Sequence, residues 1–118
     1  MMKFWQPKSE PDSEGFYETG ITAVSLLITP LQAVKINGQK VVVAQVEGRL
    51  AAFDSHCPHA AADLSKGELH RWKLICPDHG YCFDVRNGRV TWPEDEVYRL
   101  KMFDIIVKDG TIWVKLAQ

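Results

Sequence analysis

Nowhere in its 118 residues does the chain hold an apolar run near the roughly 20 residues that cross a bilayer, so no transmembrane helix is expected. Cysteine is scarce as well. Three thiols cannot form a disulfide framework without leaving one over, which fits a reducing compartment. An excess of one charge is also missing: 14 basic residues stand against 15 acidic ones, for a formal net charge of −1, and both signs are scattered. That argues against a nucleic-acid stripe or a polybasic membrane anchor. There is no Gly-rich dinucleotide fingerprint, so no nicotinamide dinucleotide site is expected. The start Met1-Met2-Lys3-Phe4-Trp5-Gln6-Pro7-Lys8 breaks the pattern of a cleaved export signal at once. The expectation is a cytoplasmic protein with no nucleic acid and no membrane among its partners. Its length suits a single domain with its own core, without room for a second catalytic domain.

Residues 1–20 bring Pro7 and Pro11 together with Ser9, Glu10, Asp12, Ser13, Glu14, Gly15 and Gly20 and show no apolar period. They read as an N-terminal arm, which Phe4, Trp5, Phe16 and Tyr17 could pin down, leaving 21–118 as the domain. From Ile21 the texture changes to short β-branched runs: Ala23 to Thr29, Val34 to Ile36, Lys40 to Val46, Leu50 to Ser55, Lys101 to Lys108 and Thr111 to Leu116. These predict strands. Asn37-Gly38, Glu47-Gly48, Asn87-Gly88 and Asp109-Gly110 supply the positive-φ chemistry of tight hairpins. The expected fold is all-β, an antiparallel sandwich or small barrel.

The segment from His56 to Asp84 interrupts that rhythm. It holds all three cysteines and reads as a site mounted on loops, with strand character at Lys73 to Ile75 and Cys82 to Val85 and room for a helical turn at Ala60 to Leu64 or Glu68 to Trp72. Two clusters stand out: Cys57-Pro58-His59, and Cys76-Pro77-Asp78-His79-Gly80, with residues 60–75 between them. Each loop offers one thiol and one imidazole. A lone Cys or His is most often packing or surface, but a matched pair in two proline-stiffened loops points to a metal. Two Cys and two His are the ligands of a [2Fe-2S] centre in which His replaces Cys on one iron. They could also hold tetrahedral zinc, although a zinc finger usually groups Cys with Cys and His with His. A cysteine nucleophile with a histidine base explains only half of the residues.

Cys57-Pro-His59, then Cys76-Pro-Asp-His79-Gly80 and Tyr81-Cys82-Phe83-Asp84, resemble a Rieske-type ferredoxin. The likeness runs from about Ile21 to Leu116 and takes in Ala51-Ala52-Phe53-Asp54-Ser55-His56 and Ala61-Ala62-Asp63-Leu64-Ser65-Lys66-Gly67. The resemblance implies an antiparallel β fold with a cluster-binding subdomain of two loops and one [2Fe-2S] cluster per chain. Cys57 and Cys76 would bind the buried iron, and His59 and His79 the outer one through Nδ1. The extra loop cysteines of high-potential relatives are Ala62 and Asp78 here, so the bracing disulfide is absent. Where those relatives place a serine and a tyrosine that donate to cluster sulfur, this chain has Tyr81 and Phe83. Fewer such hydrogen bonds predict a potential near the low end of the Rieske range, about −150 mV.

Cys82 reads as a small buried hydrophobe, His70 as part of a solvated connector, and His56 as a residue directed away from the ligands. Trp72, Trp92 and Trp113 read as core or rim aromatics, and Pro93 as part of the loop that covers the cluster in this family. The implied function is a non-enzymatic electron carrier between a flavin-dependent reductase and a terminal ring-hydroxylating oxygenase. The alternative is the small Rieske-like subunit of an assimilatory nitrite reductase. The surface around His59, Ala60, Ala61, His79 and Gly80, apolar and nearly uncharged, is the expected docking site.

Overall fold

A computed structural model of the chain describes residues 9–59, 62–78 and 80–116. Among the described residues, ten strands form two antiparallel sheets. The larger comprises β1 (Phe16–Thr22), β2 (Leu31–Ile36), β3 (Gln39–Val46), β4 (Arg49–Asp54), β9 (Met102–Lys108) and β10 (Thr111–Lys115), in the order β1-β10-β9-β4-β3-β2. The smaller lies between β4 and β9 in sequence and comprises β5 (Glu68–His70), β6 (Lys73–Ile75), β7 (Cys82–Asp84) and β8 (Val90–Trp92), paired in chain order. This is the expected all-β architecture with an inserted subdomain.

The near-continuous apolar composition of β3 and β4 follows from burial on both faces. Side chains alternate across a strand, so Val42, Ala44 and Val46 of β3 and Ala51 and Phe53 of β4 enter one core with Leu74 and Phe83 of the small sheet and Val85 just after β7. Val41, Val43 and Ala52 point the opposite way, into a second core with Ile21, Leu26, Phe103, Ile112 and Val114. One pair of strands is thus the wall between two cores. Phe53 and Phe83 are fully buried in the shared core, and each stabilises it by roughly 1.5–3 kcal/mol relative to exposure.

Three of the four expected hairpin dipeptides make tight two-residue turns. Asn37-Gly38 joins β2 to β3, Glu47-Gly48 joins β3 to β4, and Asp109-Gly110 joins β9 to β10, with φ near +51 and +86, +51 and +82, and +52 and +78. Positive φ at both central residues matches the right-handed strand twist. At Asn87-Gly88 only the glycine has positive φ, because the turn is a wider one closed by Gly88 N–H on the Asp84 carbonyl at 2.7 Å.

Four expectations need correction. The sheet begins inside the expected arm: β1 starts at Phe16 and pairs with β10, Phe16 opposite Lys115. Buried Thr19 anchors it, its hydroxyl donating to the Ile112 carbonyl at 2.7 Å. Before β1, Asp12 accepts from Phe16 N–H and pairs with Lys108 at 3.0 Å, while Phe4 and Trp5 lie outside the described residues. Ala23 to Thr29 is not a strand but a turn leading into the short helix α1 (Ser25–Ile28). Thr22 Oγ1 accepts from Ser25 N–H and the Ser25 hydroxyl donates to the Thr22 carbonyl, and these local bonds replace a ladder. Glu68 to His70 forms β5 rather than a helical turn, so His70 sits on a strand, still exposed. Of the helical turn expected at Ala60 to Leu64, Ala60 and Ala61 lie outside the described residues, and a 3₁₀ turn occupies Leu64–Lys66.

Candidate metal centre

Both expected ligand loops leave the ends of strands. The first follows β4, and its geometry is set by backbone bonds around it. Ser55 N–H donates to the Lys40 carbonyl at 3.0 Å, Leu64 N–H to the Ser55 carbonyl at 2.8 Å, and Cys57 N–H to the Ala62 carbonyl at 3.0 Å. The second joins β6 to β7 as a short hairpin in which Cys76 N–H donates to the Tyr81 carbonyl at 2.7 Å and Gly80 N–H to the Cys76 carbonyl at 3.3 Å. Gly80 has φ +72, and a Cβ there would meet no protein atom within 4 Å. The backbone conformation favours glycine at this position, whereas crowding by the protein does not require it.

These loops bring Cys57, His59 and Cys76 together, one ligand atom of each lying within 4.8 Å of the others. Cys57 Sγ is 3.7 Å from His59 Nδ1. The thiols are 0% and 1% exposed, and both belong to the core that the two sheets share. His59 is half-buried at the edge. Soft thiolates inside with an imidazole outside form a donor set suited to iron–sulfur chemistry. His79, the fourth expected ligand, lies outside the described residues, as do Ala60 and Ala61 of the expected docking surface.

The neighbours divide into packing and clamp. Phe83 is buried in the shared core and Ala62 packs there too, while Asp78 is exposed. No disulfide joins Cys57, Cys76 or Cys82. Cys82 is half-buried on β7, its thiol donating to the Gly80 carbonyl at 3.4 Å. His56 is exposed, paired through its backbone with Asp63. Tyr81 is the unexpected element. Its ring lies parallel to the His59 imidazole, centroids 3.7 Å apart and planes 14° apart, and its hydroxyl donates to Glu96 Oε1 at 3.0 Å. Burial, then the Glu96 carboxylate, raise its pKa above the ordinary phenol value. Tyr98 meets both rings edge-on, 6.0 Å from His59 and 5.9 Å from Tyr81. Trp92 meets Tyr81 in the same manner. Glu96 and Tyr98 were not singled out by sequence reasoning, and the only signal for them is the acidic and aromatic run after Pro93.

Below the first loop, burial of the Asp63 carboxyl works against its charge, but bonds from Lys40 Nζ at 2.6 Å and from the Ser65 hydroxyl and N–H outweigh burial and bring its pKa down to about 2. Asp84 does the same for the turn after β7. It accepts from Arg86 through side chain and N–H, and its pKa is lowered chiefly by the Arg86 side-chain bond. Trp72 is half-buried, with the guanidinium groups of Arg49 and Arg86 5.3 and 5.1 Å from its ring.

Comparison with known proteins bears on the fold that carries these loops. The family profile of the Rieske [2Fe-2S] domain matches residues 25–104. The ferredoxin component of the naphthalene 1,2-dioxygenase/salicylate 5-hydroxylase systems of a Ralstonia species is 41% identical over 56 residues, 48% of this chain and 54% of that protein. The ferredoxin component of the naphthalene 1,2-dioxygenase system of Pseudomonas aeruginosa is 37% identical over 75 residues, 61% of this chain and 72% of that protein. The chain therefore spans about half the length of the first relative and nearly three quarters of the second. In a solved complex of reduced oxygenase and oxidised ferredoxin in carbazole 1,9a-dioxygenase, one chain matches with a TM-score of 0.77 at 25% identity, over 87% of this chain and 94% of that one.

Proposed function

Since the chain belongs to the Rieske [2Fe-2S] domain family, we propose that it is a ferredoxin that carries single electrons from a flavin-dependent reductase to a terminal oxygenase, in the cytoplasm, without catalysing a reaction of its own. Cys57 and Cys76 would ligate the inner iron, and His59 with His79 the outer one. The carrying observation is the arrangement of donors: two fully buried thiols and a half-buried imidazole at the margin, with ligand atoms within 4.8 Å. Cys57 and Cys76 would place the thiolate side of a cluster in the buried core, and His59 would place its imidazole side at the margin, where a partner would meet it. Two thiolates and two neutral imidazoles would leave an oxidised 2+ core electrically neutral and a one-electron-reduced core singly negative. Two of its relatives are ferredoxin components of dioxygenase systems, which favours the carrier over a nitrite reductase subunit.

Two features bear on the potential. Phe83 offers no hydrogen to a cluster sulfur, and the hydroxyl of Tyr81 is committed to Glu96. With fewer donors to sulfur, added negative charge is less stabilised, and a midpoint of about −150 mV is expected rather than one of about +300 mV. Protein-film voltammetry measures it, and a midpoint above about +100 mV would refute the reasoning. The ligand set is tested by electron paramagnetic resonance of the dithionite-reduced protein. A signal with nitrogen couplings supports two imidazole ligands, while silence with one bound zinc overturns the whole reading. In stopped-flow mixing, a reduced flavin-dependent reductase should bleach the oxidised cluster, and replacement of His59 by Ala should remove the chromophore.

A further inference from the structure

One ring contact at the site goes beyond the ligands themselves. Tyr81 covers a face of the His59 imidazole at 3.7 Å, within 14° of parallel, and is held from behind. Its hydroxyl is bonded to Glu96, and Tyr98 and Trp92 pack edge-on against its ring. Glu96 belongs to the loop after β8, whose turn is closed by Glu96 N–H on the Pro93 carbonyl at 3.3 Å. Tyr98 also reaches His59 directly. Three separate segments therefore meet around one imidazole: the first ligand loop, the strand-leading end of the second, and the loop after β8.

We propose that Tyr81, locked by Glu96, is a positioning residue that fixes the plane of the His59 imidazole. This inference rests on the reading of His59 as a ligand. A coordinated imidazole retains one easy motion, rotation about its bond to the metal, and groups beyond the ligand commonly restrain it. Here the restraint is a stacked ring, which leaves little freedom to tilt without breaking ring contact, and the hydroxyl bond prevents Tyr81 from swinging out with it. An imidazole that keeps one orientation in both oxidation states adds little reorganisation to the transfer of an electron, whereas a loose one slows transfer. The phenol thus serves electron transfer without donating to the cluster.

The test uses the full chain with its cluster, reduced with dithionite, and reads the nitrogen couplings and line widths by continuous-wave and pulsed electron paramagnetic resonance. Tyr81→Phe keeps the ring but loses its anchor, and a spread of nitrogen couplings with broadened lines is expected. Glu96→Leu should reproduce that spectrum, and Tyr81→Phe with Glu96→Leu together should go no further than either alone. Glu96→Gln retains an acceptor oxygen and should restore the wild-type line shape. Tyr81→Leu, which removes the stack, should shift the couplings themselves. Tyr81→Phe and Glu96→Gln are near-isosteric, so they carry the test even if Tyr81→Leu fails to load its cluster. Spectra identical to wild type in loaded Tyr81→Phe and Tyr81→Leu would overturn the inference and leave the ligand assignment intact. Absence of nitrogen coupling in the wild-type protein would instead remove His59 as a ligand, and the inference with it.

Discussion

Asp63 provides a quantitative test of how the first ligand loop is held. Its Oδ1 accepts from the Ser65 N–H and hydroxyl, and its Oδ2 is 2.6 Å from Lys40 Nζ. Replacing it by Asn keeps an oxygen for Ser65 but turns an amide N–H₂ toward the ammonium group. A carboxyl at about 2 rather than its ordinary 3.8 has its charged form favoured in the native state by up to about 2.4 kcal/mol, at 1.36 kcal/mol per tenfold. The side chains of Lys40 and Asp63 are 35% and 29% exposed, so solvent screening reduces this to about 1–2 kcal/mol. For a domain of this size that is a fall of about 4–8 °C in melting temperature. Because the native pKa lies below the unfolded one, the contribution is complete above the unfolded value near 4 and fades as pH falls toward about 2. The difference between wild type and Asp63→Asn should therefore be the same at pH 8 and pH 5.5, and should shrink with added salt. Thermal melts followed by circular dichroism and by cluster absorbance measure it. A difference below about 1 °C at neutral pH, or one that changes between pH 8 and pH 5.5, would refute this account of the loop.

Gly67 tests the second loop. Its φ of −77 suits any residue, but a Cβ there would be pressed into the Ile75 carbonyl oxygen, beside Cys76, with the Leu64 carbonyl oxygen at 3.2 Å. Gly67→Ala is expected to destabilise by about 1–3 kcal/mol and to speed cluster loss on warming, whereas Gly38→Ala, at φ +86 with open space around it, should cost about 1 kcal/mol and leave cluster retention unchanged. Equal effects on retention would refute the distinction. Phe83→Tyr adds a donor on the ring that lines the thiol core. A bond to sulfur worth about 1.4 kcal/mol would raise the midpoint by about 59 mV in voltammetry, and an unchanged potential in the loaded variant would show that this position does not reach the cluster. Leu74→Ala and Ile112→Ala remove fully buried side chains from different cores at about 2–5 kcal/mol each. In urea the first should lose cluster colour before strand signal and the second should lose both together; the reverse order would refute the assignment of the thiols to one core.

How much was legible in the sequence depended on whether the signal was local. Asn37-Gly38, Glu47-Gly48 and Asp109-Gly110 disclosed three turns because each dipeptide alone meets the φ requirement. The strand from Lys40 was legible for the same reason, although burial on both faces erased its alternation. Ala23 to Thr29 misled because Val24, Leu27 and Ile28 are β-strand formers or apolar yet remain exposed, only Leu26 of α1 being buried. β5 and β8 have three residues each, too few to display a period of two. Phe16 and Tyr17 looked like an arm because β1 is stabilised by its partner β10 rather than by its own composition. The grouping of Cys57, His59 and Cys76 as candidate ligands was legible from the matched spacing in the two loops. The stack of Tyr81 on His59 was not, because it depends on how two loops meet, and no pattern within either one encodes that.

The division into two cores explains why the thiols and the imidazole have such different surroundings. Alternation along β3 and β4 sends one set of side chains to each face, so the wall that closes the larger core also builds the floor under the small sheet. Cys57 leaves the end of that wall, and Cys76 leaves the sheet packed upon it, so both thiols inherit burial from interactions made for packing. His59 is two residues farther along, past Pro58, and only half-buried. There Tyr81 and Tyr98 meet its ring, and Glu96 holds the Tyr81 hydroxyl. Burial on the thiol side and a clamp on the imidazole side are two solutions to one problem. A metal centre must be rigid to transfer electrons readily, yet one edge must remain near enough to the surface for a partner to reach.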